Sequence, residues 1–160
     1  MIRPSRLRLR PSRGERLRLA ALLLGGVVGA ALCVASVDAL DGVEGLPGGG
    51  WRDLWRLVAG FAGTTGLLWL NRGRFGWPGW RGWMVMAGGA LMVTLFAPVA
   101  VGTLVLPLYG TMFGPLALTV TFLRSPALAA LWVVTLVVGH RLSMTYRRER
   151  ATIFFPRAPR

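Results

Sequence analysis

Four long apolar stretches alternate along the chain with short segments that hold nearly all of its charge. About 20 apolar residues are what an α-helix needs to cross the ~30 Å hydrocarbon core of a bilayer. The first stretch, 17–37, has no charge after Arg18, and the second, 54–70, is short enough to cross with little tilt. The third, 83–106, contains Pro98, which removes a helix hydrogen bond and kinks or bends the span. The last stretch is broken by Pro107, Gly110, Gly114, Pro115 and Pro126, and two paths fit it. Either a turn at 107–115 leads into one long helix, 116–142, kinked at Pro126, or a short re-entrant or interfacial segment precedes a span over 126–142. The first path is the working expectation. A fifth span over 108–123 would have only 16 residues and would put the basic tail on the other side.

The expected fold is therefore all-α: a polytopic membrane protein with four transmembrane helices and short loops. A transmembrane domain, 19–142, lies between a basic arm, 1–18, and a basic tail, 143–160. The basic start and Val37-Asp38-Ala39 resemble a signal peptide and its cleavage site. The apolar run is near 20 residues, longer than the roughly 7–15 of a signal core, so a retained span is expected. Pro4, Pro11 and Gly14 argue against a long helix in the arm.

Charge then sets the orientation. Seven arginines lie in the arm, three (Arg72, Arg74, Arg81) in the middle loop, and six in the tail, beginning with Arg141, Arg147 and Arg148. Only Glu15 and Glu149 oppose these sixteen. The alternate segments carry Arg52, Arg56 and Arg124 against Asp38, Asp41, Glu44 and Asp53. One side thus carries +14 and the other −1, which together give the net charge of +13, and arginine near span ends is retained in the cytoplasm. Both termini are expected there, in a bacterial cytoplasmic membrane. All 19 basic residues are arginine, a bias that a GC-rich genome produces, so no function is attached to it. A basic chain can indicate nucleic acid. These arginines flank apolar spans, which makes a bilayer with anionic headgroups the expected partner. Trp51 and Trp55 at the start of the second stretch, and Trp77, Trp80 and Trp83 in the turn before the third, suit the same headgroup layer.

Chemistry is sparse. Cys33 is the only cysteine and is read as a small packing residue. His140 is the only histidine, expected to meet a phosphate or the negative end of its helix. One histidine cannot supply paired axial ligands, and no cofactor or metal site is expected. Ser36, Ser125 and Ser143 lie in no nucleophile elbow, and no carboxylate pair falls within a span, so enzymatic activity is not expected. Arg124 is the one candidate intramembrane charge, near the non-cytoplasmic end. It either pairs with a carboxylate of that side or snorkels to the interface.

Helix packing has more support. Ala21, Gly25, Gly29 and Cys33 recur every four residues. Gly60, Gly63 and Gly66 recur every three residues in the second stretch, and Gly88 and Gly89 are adjacent in the third. Small residues at such spacing let another backbone approach closely. They serve packing within the bundle, or docking on a membrane-protein partner or a second copy. Ile153-Phe154-Phe155-Pro156 is a small apolar knot in the tail, fit to dip into the bilayer surface or dock on a partner. The expected role is a non-enzymatic accessory, assembly or scaffold subunit of a larger membrane complex. The rival is a small permease or channel with helices broken at Pro98, Pro107 and Pro115.

Overall fold

Ser12 opens the first helix through a reciprocal cap. Its Oγ accepts from the Glu15 backbone N–H at 3.2 Å, and its own N–H donates to Glu15 Oε2 at 2.9 Å. This S-x-x-E box satisfies donors that a helix start leaves orphaned. The computed structural model describes residues 12–41 and 50–154. Within them the elements are α1 (Arg13–Asp41), α2 (Trp51–Leu70), a 3₁₀ turn (Arg72–Arg74), α3 (Gly79–Val105), α4 (Gly110–Arg124) and α5 (Pro126–Phe154). No strand occurs among the described residues. The last six residues of the expected arm, 13–18, are helical, while 1–11, Glu44, Phe155 and Pro156 lie outside the described residues.

The central helix is α1, which packs along α2 and α5 and meets α4 near its end. Its small residues permit this. Gly25 faces Leu68, Gly29 faces Thr64, and Gly60 of α2 lies against Ala30 and Cys33. Gly63 turns to the other neighbour of α2 and meets Val101 of α3. Helices α3 and α5 meet instead through large side chains. Trp132 Nε1 donates to Thr94 Oγ1 at 2.9 Å, and the rings of Trp83 and His140 lie 4.8 Å apart. Val28, Leu32, Leu68, Met86, Val93, Ala97, Trp132 and Leu136 form the apolar core between these helices.

Connectivity is settled by which ends meet. Ser12 Oγ donates to Glu149 Oε2 at 3.0 Å, so the start of α1 and the end of α5 lie together. At the opposite end Asp38 meets Arg56, and Trp55 Nε1 donates to the Leu104 carbonyl at 3.1 Å. Arg124 Nη1 donates there to the Ala39 carbonyl at 2.8 Å. Helices α1 and α3 therefore run the same way, and α2 returns the chain between them. Helix α4 starts and finishes at one end of the bundle.

One expectation is met in part and one needs correction. Among the described residues three helices are long and apolar enough to cross a membrane: Arg13–Ala39, Gly79–Val105 and Pro126–Ala151. The expected span 54–70 is not among them, because α2 carries Arg52, Asp53 and Arg56 in its first turns. Nor is 116–142 one helix. Ser125 is extended (φ −132°, ψ 87°) and separates α4 from α5, since the ring of Pro126 disfavours the helical conformation in the residue before it. The break leaves α4 as a separate 15-residue helix laid against α3, close to the second path considered above. Pro98, by contrast, lies within an uninterrupted α3.

Candidate functional site

The arginine-rich end is built on the turn between α2 and α3. Asn71 Nδ2 closes α2 by donating to the Leu67 carbonyl at 3.0 Å, and Arg74 Nη1 donates to Asn71 Oδ1 at 3.3 Å. Gly76 adopts φ +85°, a conformation that glycine takes without a Cβ penalty. Its N–H then donates to Nδ1 of His140 at 3.1 Å. Arg147 holds the same turn from α5. Its Nε donates to the Phe75 carbonyl at 2.9 Å, and its Nη2 donates to the Gly73 carbonyl. Trp77 Nε1 also donates to Gly73, and the Arg147 guanidinium lies 4.2 Å from the Trp77 ring centroid.

His140 is thus a structural residue, not the exposed phosphate or helix-end contact expected of it. It is fully buried, it accepts at Nδ1, and it packs on Trp83. An accepting Nδ1 leaves the proton of a neutral ring on Nε2, which has no hydrogen-bond partner among the described residues. Trp83 is correspondingly half-buried in the bundle, with Arg141 over its ring at 5.3 Å.

Between this turn and α5 runs a groove of about 980 Å³. Arg18, Arg72, Arg147, Arg148 and Arg150 line it, together with Trp69, Trp77 and Tyr146. Guanidinium groups lie on ring faces: Arg72 on Trp69 at 4.0 Å, Arg18 on Tyr146 at 4.6 Å, and Arg150 on Tyr146 at 5.4 Å. A cation over an aromatic face is held by the ring quadrupole. Of the residues singled out from sequence, Arg72, Arg147, Arg148 and Trp77 come together here. Trp80 and Arg81 stay exposed on the first turn of α3, and Trp51 and Trp55 are exposed at the other end of the bundle.

An apolar cavity of about 110 Å³ lies toward that other end, where α4 closes over α1, α2 and α3. Val93, Ala97, Val101, Phe113 and Leu118 are among the apolar residues of its wall. Gly110 and Gly114 of α4 sit against the backbone of Gly102 and Pro98 in α3, an approach that a Cβ would block. Thr121 Oγ1 donates to the Ala117 carbonyl at 2.8 Å and meets Ser36 Oγ at 3.1 Å, so Ser36 is a buried helix contact. Beyond it Arg124 binds a backbone carbonyl and, among the described residues, no carboxylate, while Asp38 and Asp53 both pair with Arg56 at 3.8 and 3.3 Å. On the cavity wall Thr94 is hydrogen-bonded to Trp132 and Ser36 to Thr121.

The small-residue stripes divide. Gly25, Gly29, Cys33, Gly60 and Gly63 are used inside the bundle, and Ala21 faces Gly139 of α5. Gly89 lies against Arg74 and Phe75, whereas Gly66 and Gly88 have open space around them. Among the described residues no three histidine, cysteine or carboxylate side chains come together. Sequence reasoning missed Trp132 with Thr94, the Ser12–Glu15 box, and the stacking of Arg18, Arg72 and Arg150. The box and the Arg72–Trp69 spacing of three were visible in the sequence, while the Trp132 contact depends on which helices become neighbours. The chain matches no family model, no curated protein and no solved structure.

Proposed function

We propose that this chain is a non-enzymatic, four-span protein of a bacterial cytoplasmic membrane, with both termini in the cytoplasm. In this reading α1, α2, α3 and α5 cross. Helix α2 is the fourth crossing because α1 and α3 start at the same end of the bundle and the chain must return between them. The charges of Arg52, Asp53 and Arg56 then fall in the outer headgroup layer. Helix α4 has 15 residues and is about 22 Å long at 1.5 Å per residue, too short for the ~30 Å core, so it is a re-entrant segment. Tags at Met1 and Arg160 should both report from the cytoplasm. Reports from opposite compartments would refute the topology.

The proposed role is an accessory, assembly or scaffold subunit of a larger membrane complex. The observation that carries it is the pair of outward glycines, Gly66 and Gly88, on exposed apolar faces of α2 and α3. Within a bilayer such sites let a helix of another subunit, or of a second copy, approach the backbone. Extraction in a mild detergent followed by native sizing tests this, and a lone monomer with nothing co-purifying would overturn it. The apolar cavity under the α3–α4 hairpin favours a second reading, a small permease or channel subunit with broken helices. Flux in reconstituted vesicles that is lost in Arg124→Ala, whose α4 is no longer tied to α1, would support that reading instead.

A further inference from the structure

We infer that the groove between the 71–78 turn and α5 is a defined site for the phosphate of an anionic phospholipid headgroup. The inference rests on the proposed topology, which sets this end in the inner headgroup layer, and adds a named site to it. Three observations carry it. Among the described residues no carboxylate forms an ion pair with Arg18, Arg72, Arg148 or Arg150, although the four line one groove. The nearby carboxylate, Glu149, is engaged by Ser12 Oγ at 3.0 Å and the Gly14 N–H at 2.8 Å. Like charges gathered without an anion repel, and an anion placed among them relieves that repulsion.

The guanidinium groups are also preorganised. Those of Arg18 and Arg150 share the Tyr146 ring, and that of Arg72 lies on Trp69. The ring quadrupole holds each cation in place, and no hydrogen bond to another described residue occupies these three guanidinium groups, whose N–H forks match phosphate oxygens. Arg147 is different, because its donors are committed to the carbonyls of Gly73 and Phe75. Finally, Trp69 and Leu70 border the groove and are largely exposed, Leu70 at 76%. An apolar border beside a cationic floor fits an amphiphile better than a soluble anion.

Native mass spectrometry of the full chain, released from a neutral detergent with phosphatidylglycerol or phosphatidylcholine present, tests the site. The wild-type protein should retain phosphatidylglycerol in preference to phosphatidylcholine by about tenfold or more, the effect of one charge-assisted contact. Arg18→Gln combined with Arg72→Gln should abolish that preference, and Arg52→Gln, at the opposite end, should keep it. No preference in the wild-type protein would overturn the site without reference to any variant's folding. Equal loss in Arg52→Gln would overturn it in favour of diffuse attraction. Displacement of phosphatidylglycerol by millimolar inorganic phosphate would overturn the lipid assignment and leave a soluble phosphate as the ligand. Carbonate extraction separates the two failures. A chain that stays in the membrane but shows no lipid preference refutes the site alone, and one that washes off refutes the topology beneath it.

Discussion

Gly60→Ala and Gly66→Ala are the same substitution, in the same helix, at positions with opposite surroundings. A methyl group at Gly60 would stand 2.8 Å from Ala30 Cα and 2.7 Å from Cys33 Cβ. Carbon atoms in contact prefer about 3.5–4.0 Å, so the α1–α2 crossing must open by roughly 1 Å. The opening is shared by the whole contact, because Gly29–Thr64 and Gly25–Leu68 belong to the same crossing. Overpacking of this kind costs about 1–3 kcal/mol. A methyl at Gly66 meets nothing within 4 Å. Only helix propensity changes there, which favours alanine by up to about 1 kcal/mol. Propensity is common to both variants and cancels in their difference, so Gly60→Ala should be less stable than Gly66→Ala by about 1–3 kcal/mol. Unfolding of the full chain in mixed micelles, titrated with SDS and followed by tryptophan fluorescence, measures this. Equal midpoints, or a larger loss at Gly66, would refute the assignment of the α1–α2 crossing.

Gly110→Ala would set its Cβ against the Gly102 carbonyl and lift α4 from α3. Maleimide labelling of Cys33, which lines the cavity and is the only cysteine, should then accelerate several-fold, and unchanged labelling would count against the hairpin. Trp132→Phe removes the hydrogen bond to Thr94 and should cost about 1 kcal/mol; Thr94→Val should cost a similar amount, with little further loss in the double variant. Arg147→Gln removes charge-assisted bonds to Gly73 and Phe75, so exchange of amides 73–77 should speed by about tenfold or more while α4 is unaffected; uniform acceleration would point to global destabilisation instead. Leu108 is exposed and holds φ +73°, so Leu108→Gly should raise the unfolding midpoint, by an amount worth about 1 kcal/mol. A lowered midpoint would refute strain at that turn.

Hydropathy and charge were legible without any structure because each acts through the solvent, one residue at a time. The first and third apolar stretches fall within α1 and within one residue of α3, and Arg18, Arg72, Arg141 and Arg147 gather at one end of the bundle. Partnership was not legible, because it depends on pairs of residues far apart in the chain. Gly60 and Gly66 look alike in the sequence, yet one lies against Ala30 and the other faces open space. Pro126 and Pro98 are both prolines in apolar runs. Ser125 leaves the helical conformation before the first, while α3 continues through the second, with Gly114 of α4 against the Pro98 carbonyl. His140 offered no sequence sign of its burial, which arises only when the positive φ of Gly76 aims an N–H at its ring. Order and composition thus decided which segments are apolar and where the arginines cluster. Close packing decided which glycine touches a neighbour, where the last apolar stretch divides, and which arginines share a groove, because each of those depends on the distance between two chain segments.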